Sequence, residues 1–307
     1  MSLTRNDWCD ALLVSGESQV ESHLCHPATG RSVADMTTGM DWQAAVGRSW
    51  AEMYPQTDRA FAGLTQRLLE RISARGGDSV LDIGCGAGEL TLAVARARPR
   101  GRIIGLDVSS DLVAAAKTRG ANHGNVEFAL ADAAVWQRED FSPDLLVSRH
   151  GVMFFEDPPG AFTNLRKASA PGANLVFSCF RSQRENRWAS EFAQLLGISP
   201  PANPRAPGPF AFADPQYVEA MLGAAGWRGI DFEPVDFAYV TGKGDDPVGD
   251  AACFFARIGP AAVALRALDG SARDEAMNRI IRLLETYRNG DLVALGAAAW
   301  IVTARAN

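Results

Sequence analysis

The segment Ser79-Val-Leu-Asp82-Ile-Gly84-Cys85-Gly86-Ala-Gly88-Glu89-Leu90 sets an acid and three alternate glycines between an apolar run and a stretch of helical spacing. Val80, Leu81 and Ile83 have the length and branching of a buried parallel strand, and Leu90, Leu92, Ala93, Val94 and Ala97 recur along one helical face. A strand, a glycine turn and a helix form a nucleotide-type ligand site at the carboxyl end of a sheet, with the backbone drawn close to the ligand. The spacing departs from the dinucleotide pattern G-x-G-x-x-G, and Glu89 would stand where a pyrophosphate is faced. Asp82, just ahead of the loop, suits a ligand that carries a positive group. Asp107 ends the run Arg102-Ile-Ile-Gly-Leu-Asp107, about twenty residues past the glycines, where a carboxylate accepts from ribose hydroxyls. Asp132 ends Val126-Glu-Phe-Ala-Leu-Ala-Asp132, and Asp144-Leu-Leu-Val-Ser148-Arg149-His150 closes on an imidazole. One acid at a strand end is more often a helix cap or a solvated turn residue. Three in register after three strands argue for a shared site.

The nonapeptide Val80-Leu-Asp82-Ile-Gly84-Cys85-Gly86-Ala-Gly88 resembles the first motif of the class I S-adenosylmethionine (SAM)-dependent methyltransferases. SAM carries an ammonium, a sulfonium and no phosphate, which suits the acids. His150-Gly-Val-Met-Phe-Phe-Glu-Asp157-Pro158, Phe162-x-Asn164-Leu-Arg166 and Pro171-Gly172 look like the ubiquinone/menaquinone-biosynthesis type of small-molecule methyltransferase. The resemblance runs from Trp42 to the C-terminus. It implies an α/β fold: a Rossmann-like seven-stranded, mostly parallel sheet, its last strand antiparallel, with helices on both faces and SAM at the carboxyl edge. It implies that Asp82, Gly84, Gly86 and Gly88 hold the methionine end, Asp107 the ribose, and Asp132 with Ala133 the adenine, with Cys85, Val108 and Ser148 also at the cofactor. Ser148 would stand at the strand end that faces the reacting methyl. The implied activity is in-line methyl transfer from SAM to an oxygen, carbon or nitrogen of a small, partly apolar metabolite. Fold does not fix the acceptor, so a quinone is not implied. Two alternatives stay open: a non-catalytic SAM-binding or scaffolding protein, and a nicotinamide-dependent oxidoreductase.

His150 is the candidate general base, with a pocket-lining role as its alternative. A phenol of pKa about 10 lies roughly 3.5 units above an ordinary imidazole, a penalty near 5 kcal/mol that good placement of the reactants can absorb. An aliphatic alcohol would face roughly 12 kcal/mol, so an acidic hydroxyl, an activated carbon or an amine suits the imidazole better. Arg149 and Arg181 either orient an anionic acceptor or pair at the surface. Trp50 and Tyr54 either roof the pocket or belong to the core. An Asp/Asn-Pro-Pro-Tyr/Phe run is absent at Ser148-Arg149-His150-Gly151, and no cysteine follows a proline, which argues against a flipped base as acceptor.

The elements that must position these residues follow from periodicity. Strands are expected near 79–83, 102–107, 125–130, 144–149 and 173–180, alternating with helices, the pattern of a parallel sheet covered on both faces. Ahead of them, a helix capped by Asp41 carries Trp42, Val46, Trp50 and Tyr54, and a second spans Phe61 to Ala74. Past the core come a proline-rich loop over 199–209, a helix at 215–225, a strand at 229–237, helices near 248–268 and 271–288, and a last strand at 297–303. The chain is therefore divided into an irregular arm (1–40) and a methyltransferase domain (41–307). The domain comprises opening helices (41–75), a core (76–180), a lid or insertion (about 181–214) and C-terminal helices and strands (215–307). The arm covers the core or a neighbouring subunit, which leaves a homodimer open. His23-Leu-Cys25-His26 in the arm matches no zinc spacing, and no metal is expected.

The 307 residues are 47% hydrophobic with a net charge of −6. That supports one large domain, and the lack of a basic block argues against nucleic acid as a partner. No apolar run reaches spanning length, the N-terminus lacks a secretory pattern, and five scattered cysteines read as reduced, buried thiols, so a cytoplasmic protein is expected.

Overall fold

The computed structural model describes residues 39–307; the expected arm, with His23, Cys25 and His26, lies outside them but for its last two residues. A central sheet is built from β1 (Ser79–Ile83), β2 (Arg102–Asp107), β3 (Val126–Leu130), β4 (Leu145–Arg149), β5 (Asn174–Phe180), β6 (Trp227–Lys243) and β8 (Leu292–Ala306). Their order is β3-β2-β1-β4-β5-β8-β6, and a two-residue β7 (Arg288–Asn289) pairs with β8. The first five strands are parallel, and β8 runs antiparallel to both β5 and β6. The seven-stranded, mostly parallel sheet with an antiparallel last strand is thus present, with β7 as an unforeseen addition. Strand order reverses between β1 and β4, so the loops leaving these neighbours diverge and open a crevice.

Helices α4 (Glu89–Ala97), α5 (Ser110–Gly120) and α6 (Pro158–Ala168) supply the crossovers. Burial on both faces explains the apolar runs: Val80, Leu81, Ile103, Ile104, Leu145, Leu146, Leu175 and Val176 are fully buried. Helix starts reuse one device. Asp157, Asp214 and Asp246 each precede a proline and accept a hydrogen bond from a backbone N–H of the first turn. These caps open α6, α8 (Pro215–Ala224) and α9 (Pro247–Arg257).

Several boundaries differ from expectation, each for a physical reason. The helix expected from Asp41 is broken into α1 (Gly39–Trp42) and α2 (Ala45–Glu52). The break lets α2 press Gly47 against the Trp42 carbonyl and Ser109, where a Cβ has no room. Helix α3 begins at Tyr54 rather than Phe61 and runs to Ser73, because Pro55 fits its first turn. The helix expected over 248–268 bends by 73° between α9 and α10 (Pro260–Arg266). Gly259 at φ +81° makes the corner and Pro260 starts the new helix. Helix α7 (Arg187–Leu196), in the stretch expected as a lid, buries Trp188, Ala189 and Phe192. A last helix, α11 (Gly270–Glu285), packs on α9. No single described helix is long and apolar enough to cross a membrane. Cys85 and Cys179 are buried free thiols.

Strands β6 and β8 are much longer than expected. β5 ends at Phe180, opposite Ala299, whereas β6 and β8 continue pairing to Lys243 and Leu292. Because β6 is parallel to β5, this two-stranded overhang stands past the carboxyl edge of the sheet and walls the crevice. Arg59 of α3 fastens it: its guanidinium donates to the carbonyls of Val240 (3.2 Å) and Thr241 (2.7 Å), beside a register shift, and pairs with Asp250 of α9 at 2.8 Å. Arg59→Ala removes this donor from two carbonyls and leaves Asp250 with the Lys243 N–H alone; a loss of about 2 kcal/mol is expected in urea denaturation. A loss under about 0.5 kcal/mol would show that the overhang stands without this tie.

Candidate active site

The three alternate glycines do three different things. Gly84, at φ +67°, lies against the loop after β4: a Cβ there would stand 2.8 Å from the Gly151 Cα. Gly88, at φ +87°, starts α4, and a Cβ would stand 2.9 Å from the Phe128 ring. Gly88 is absent from the wall of the cavity described next, so its role is packing. Gly86, at φ +54°, has nothing within 4 Å of a built Cβ. Here alone the missing side chain leaves open space.

That space belongs to a cavity of about 550 Å³ at the β1/β4 reversal, a size typical of small-molecule sites. One end is lined by Asp82, Gly84, Cys85, Gly86, Asp107, Val108, Asp132 and Ala133. Asp82 is 1% exposed. Its Oδ2 accepts from the Thr91 hydroxyl at 2.6 Å and its Oδ1 has no partner. Burial pushes this carboxyl up to about 7, against the pull of Thr91 and Arg149. Asp107 accepts from the N–H groups of Gly86 and Ser109, both at 2.9 Å, and burial also raises it. Asp132 is exposed, its Oδ1 fixed by the Ala134 N–H at 2.8 Å. Ser148, expected at the ligand, is fully buried behind the wall: it donates to the Ile83 carbonyl at 2.6 Å and accepts from the Gly151 N–H at 3.2 Å. It braces the two loops against each other.

The other end is aromatic. His150 is the single non-glycine with positive φ (61°) among the described residues, a conformation that costs about 1 kcal/mol and clusters at functional sites. Its backbone N–H donates to the Ser178 carbonyl at 3.2 Å, its Nδ1 lies 3.3 Å from the Ser178 hydroxyl, and its Nε2 has no partner. Burial drives the imidazole down to about 3. Its ring stacks on Phe180 at 4.0 Å and meets the edge of Phe61 at 5.2 Å. Phe61, Phe180, Trp188 and Tyr239, with Ile258 and Pro260 at the α9–α10 corner, complete this end.

Arg149 reaches the cavity but is engaged on all sides. It pairs with Glu89, donates to Thr65 Oγ1 at 2.8 Å, lies 3.8 Å from Asp58, and covers the Phe61 ring at 5.1 Å. Arg181 is not at the cavity: it pairs with Asp236 at 2.8 Å and with Glu185, over the Trp300 ring. Trp50 and Tyr54 both line the cavity. Of the expected lid, only Trp188 and Pro209 reach it. Sequence reading missed Phe61, Phe180, Tyr239 and the α9–α10 corner. Phe61 reads as one member of a helical core stripe, and Tyr239 lay past the expected end of its strand.

Residues 53–231, more than half of the chain, match the family described as a methyltransferase domain. The chain belongs to this family. SAM, the cofactor expected from the glycine motif, is the cofactor of this methyltransferase; the narrower likeness to the quinone-biosynthesis type is loose. A trans-aconitate 2-methyltransferase of Variovorax paradoxus is 29% identical over 137 residues, 45% of this chain and 49% of that protein. A malonyl-[acyl-carrier protein] O-methyltransferase of Brevibacillus brevis is 32% identical over 120 residues, 38% of this chain and 43% of that one. The chain thus spans less than half the length of these relatives. Phosphoethanolamine N-methyltransferase 2 of Haemonchus contortus, solved with SAM, superposes with a TM-score of 0.53 at 15% identity, covering 89% of this chain and 61% of that one. The [4+2]-cyclase SpnF superposes at 0.50 with 21% identity, covering 88% and 97%. These two show the fold alone. The methyltransferase's residues fit SAM on two observations: an unpartnered carboxylate oxygen, buried and suited to an ammonium, and open space at Gly86.

The depressed imidazole has a directional consequence. Folded His150 stays neutral while the unfolded chain takes up a proton near pH 6.5, so this residue subtracts stability as pH falls below about 6.5. In ¹H–¹⁵N spectra recorded from pH 8 to pH 5, the His150 ring signals are expected to stay fixed. A His150 midpoint above pH 6 would contradict the buried, neutral ring.

Proposed function

We propose that this methyltransferase transfers a methyl group from SAM to a small, partly apolar molecule held at the aromatic end of the cavity. The observation that carries this reading is Asp82 Oδ1, a buried carboxylate oxygen with no partner, beside the open space at Gly86. Residues 41–307 form the proposed catalytic unit. Asp82 would accept from the SAM ammonium, Asp107 from the ribose hydroxyls, and Val108, Asp132 and Ala133 would frame the adenine. When bound, SAM supplies an electrophilic methyl on a sulfonium whose departing thioether is neutral. The chain's part is then placement, which can be worth roughly 7–11 kcal/mol. His150 acts by position: with its conjugate acid near 3, taking a proton from a phenol of pKa about 10 would cost roughly 9 kcal/mol. The apolar walls keep water from the reacting centre. The same fold also carries a cyclase, so the fold by itself does not decide the activity.

Calorimetry with SAM tests the cofactor half. Gly86→Arg fills the open space and Asp107→Ala removes the ribose acceptor; each is expected to weaken binding by about 100-fold or more, roughly 3 kcal/mol. Unchanged affinity in both variants sinks the reading. Between pH 6 and 7.5 the affinity of the wild type is expected to rise, up to about tenfold per pH unit, because Asp82 must be ionised to meet the ammonium. Asp82→Asn should bind more weakly and lose that rise. The transfer half is tested by following radiolabel from methyl-labelled SAM into fractionated small-molecule extract; its complete absence from every fraction, with SAM binding intact, leaves a non-catalytic binder.

A further inference from the structure

The charge in the cavity is lopsided. Among the described residues, seven carboxylates line it against one guanidinium, that of Arg149. Arg149 is already neutralised by Glu89, with Asp58 at 3.8 Å. An anionic acceptor would therefore enter a negative cavity without a free cation to receive it. A cationic acceptor fares no better at the aromatic end, because the Arg149 guanidinium already occupies a face of Phe61 at 5.1 Å. No carboxylate belongs to the group formed by His150, Phe61, Phe180, Trp188 and Tyr239, whose rings meet one another face to face and edge to face. Such walls favour a flat, apolar body.

One polar group faces this end without a protein partner, and its hydrogen can be placed. Ser178 is fully buried, and its hydroxyl touches only His150 Nδ1, at 3.3 Å. If Nδ1 carried the hydrogen, the buried Ser178 hydroxyl proton would be left without an acceptor among the described residues, a state that folded proteins avoid. The hydroxyl therefore donates to Nδ1, and the ring hydrogen sits on Nε2. His150 lines the cavity, and its buried Nε2 has no acceptor among the described residues. It is a donor waiting for a ligand oxygen.

We propose that the methyl acceptor is an uncharged, flat, largely apolar molecule that presents a hydrogen-bond-accepting oxygen to Nε2–H of His150, with Ser178 as the positioning residue that fixes this tautomer. The proposal rests on the SAM reading above and narrows its acceptor. It sets this protein apart from relatives whose names specify trans-aconitate or a malonyl thioester, since a carboxylate finds no free cation among the described residues.

The test uses the full chain saturated with S-adenosylhomocysteine and four probes on one skeleton: 2-acetylnaphthalene, naphthalene, 2-naphthoate and 2-naphthylmethylammonium. Calorimetry is expected to rank the neutral ketone at least about tenfold tighter than each of the others. In His150→Asn, chosen because Asn tolerates the left-handed backbone, the ketone should lose its advantage over naphthalene. The chain has four histidines, so the long-range ¹H–¹⁵N spectrum of the wild type reads the His150 tautomer directly. Nε2–H is expected there, with a mixture appearing in Ser178→Ala. Tightest binding by the naphthoate or the ammonium overturns the acceptor class, and an Nδ1–H signature overturns the role of Ser178. Binding of S-adenosylhomocysteine with none of the four probes overturns this proposal and leaves the SAM reading standing. Failure to bind S-adenosylhomocysteine removes both.

Discussion

Two backbones in contact set the geometry of everything around them. β1 and β4 are neighbours in the sheet, and the loops leaving their carboxyl ends must diverge to opposite faces. They do so from direct contact, Gly84 on Gly151, with no room for a Cβ on either. Ser148 ties the crossing by accepting from Gly151 and donating to Ile83. His150 sits between Arg149 at the strand end and this crossing, so its backbone is bent into the left-handed region. The imidazole is thereby turned into the cavity, onto the face of Phe180. A side chain at 84 or 151 would part the loops and release the bend. One contact thus positions both the glycine loop and the imidazole at the aromatic end of the cavity.

The cofactor end was legible because its determinants are local. A strand, a glycine loop and a strand-end acid act within a few residues of one another, and parallel alternation fixes where each falls. Asp82, Asp107 and Asp132 therefore came out on one wall. The reasons for the glycines were less legible. Gly84 and Gly88 are required by Gly151 and Phe128, partners remote in sequence, and only Gly86 leaves space. Ser148 was misplaced for the same reason: its position in the strand was right, but its hydroxyl is spent on the Ile83 carbonyl, a contact between strands that no spacing along the chain encodes.

The acceptor end was not legible because it is assembled from distant segments. Phe61 comes from α3, Phe180 from β5, Trp188 from α7, Tyr239 from the overhang and Pro260 from the α9–α10 corner. Each reads as an ordinary core residue along the chain. What brings them together is the extra length of β6 and β8, and alternation in Asp236–Lys243 is too weak to announce a strand that projects past its sheet. Arg181 illustrates the opposite error. A cation just after a strand end suggests an anion site, yet Asp236 on the overhang and Glu185 in the next turn claim it.

The fold holds Asp82 at a cost. A carboxyl pushed up to about 7 from an ordinary value near 4 disfavours its charged form by roughly 4 kcal/mol. Thr91 satisfies one oxygen, and Arg149, the nearest cation, is drawn off by Glu89 and Asp58. Had Arg149 turned to Asp82, the two would form a closed pair and the site would resist a cationic ligand. Glu89, the acid that argues against a pyrophosphate, thereby does a second job: it keeps the guanidinium occupied and leaves Asp82 uncompensated. One carboxylate at the start of α4 thus holds the guanidinium away from a buried acid whose charged form is disfavoured.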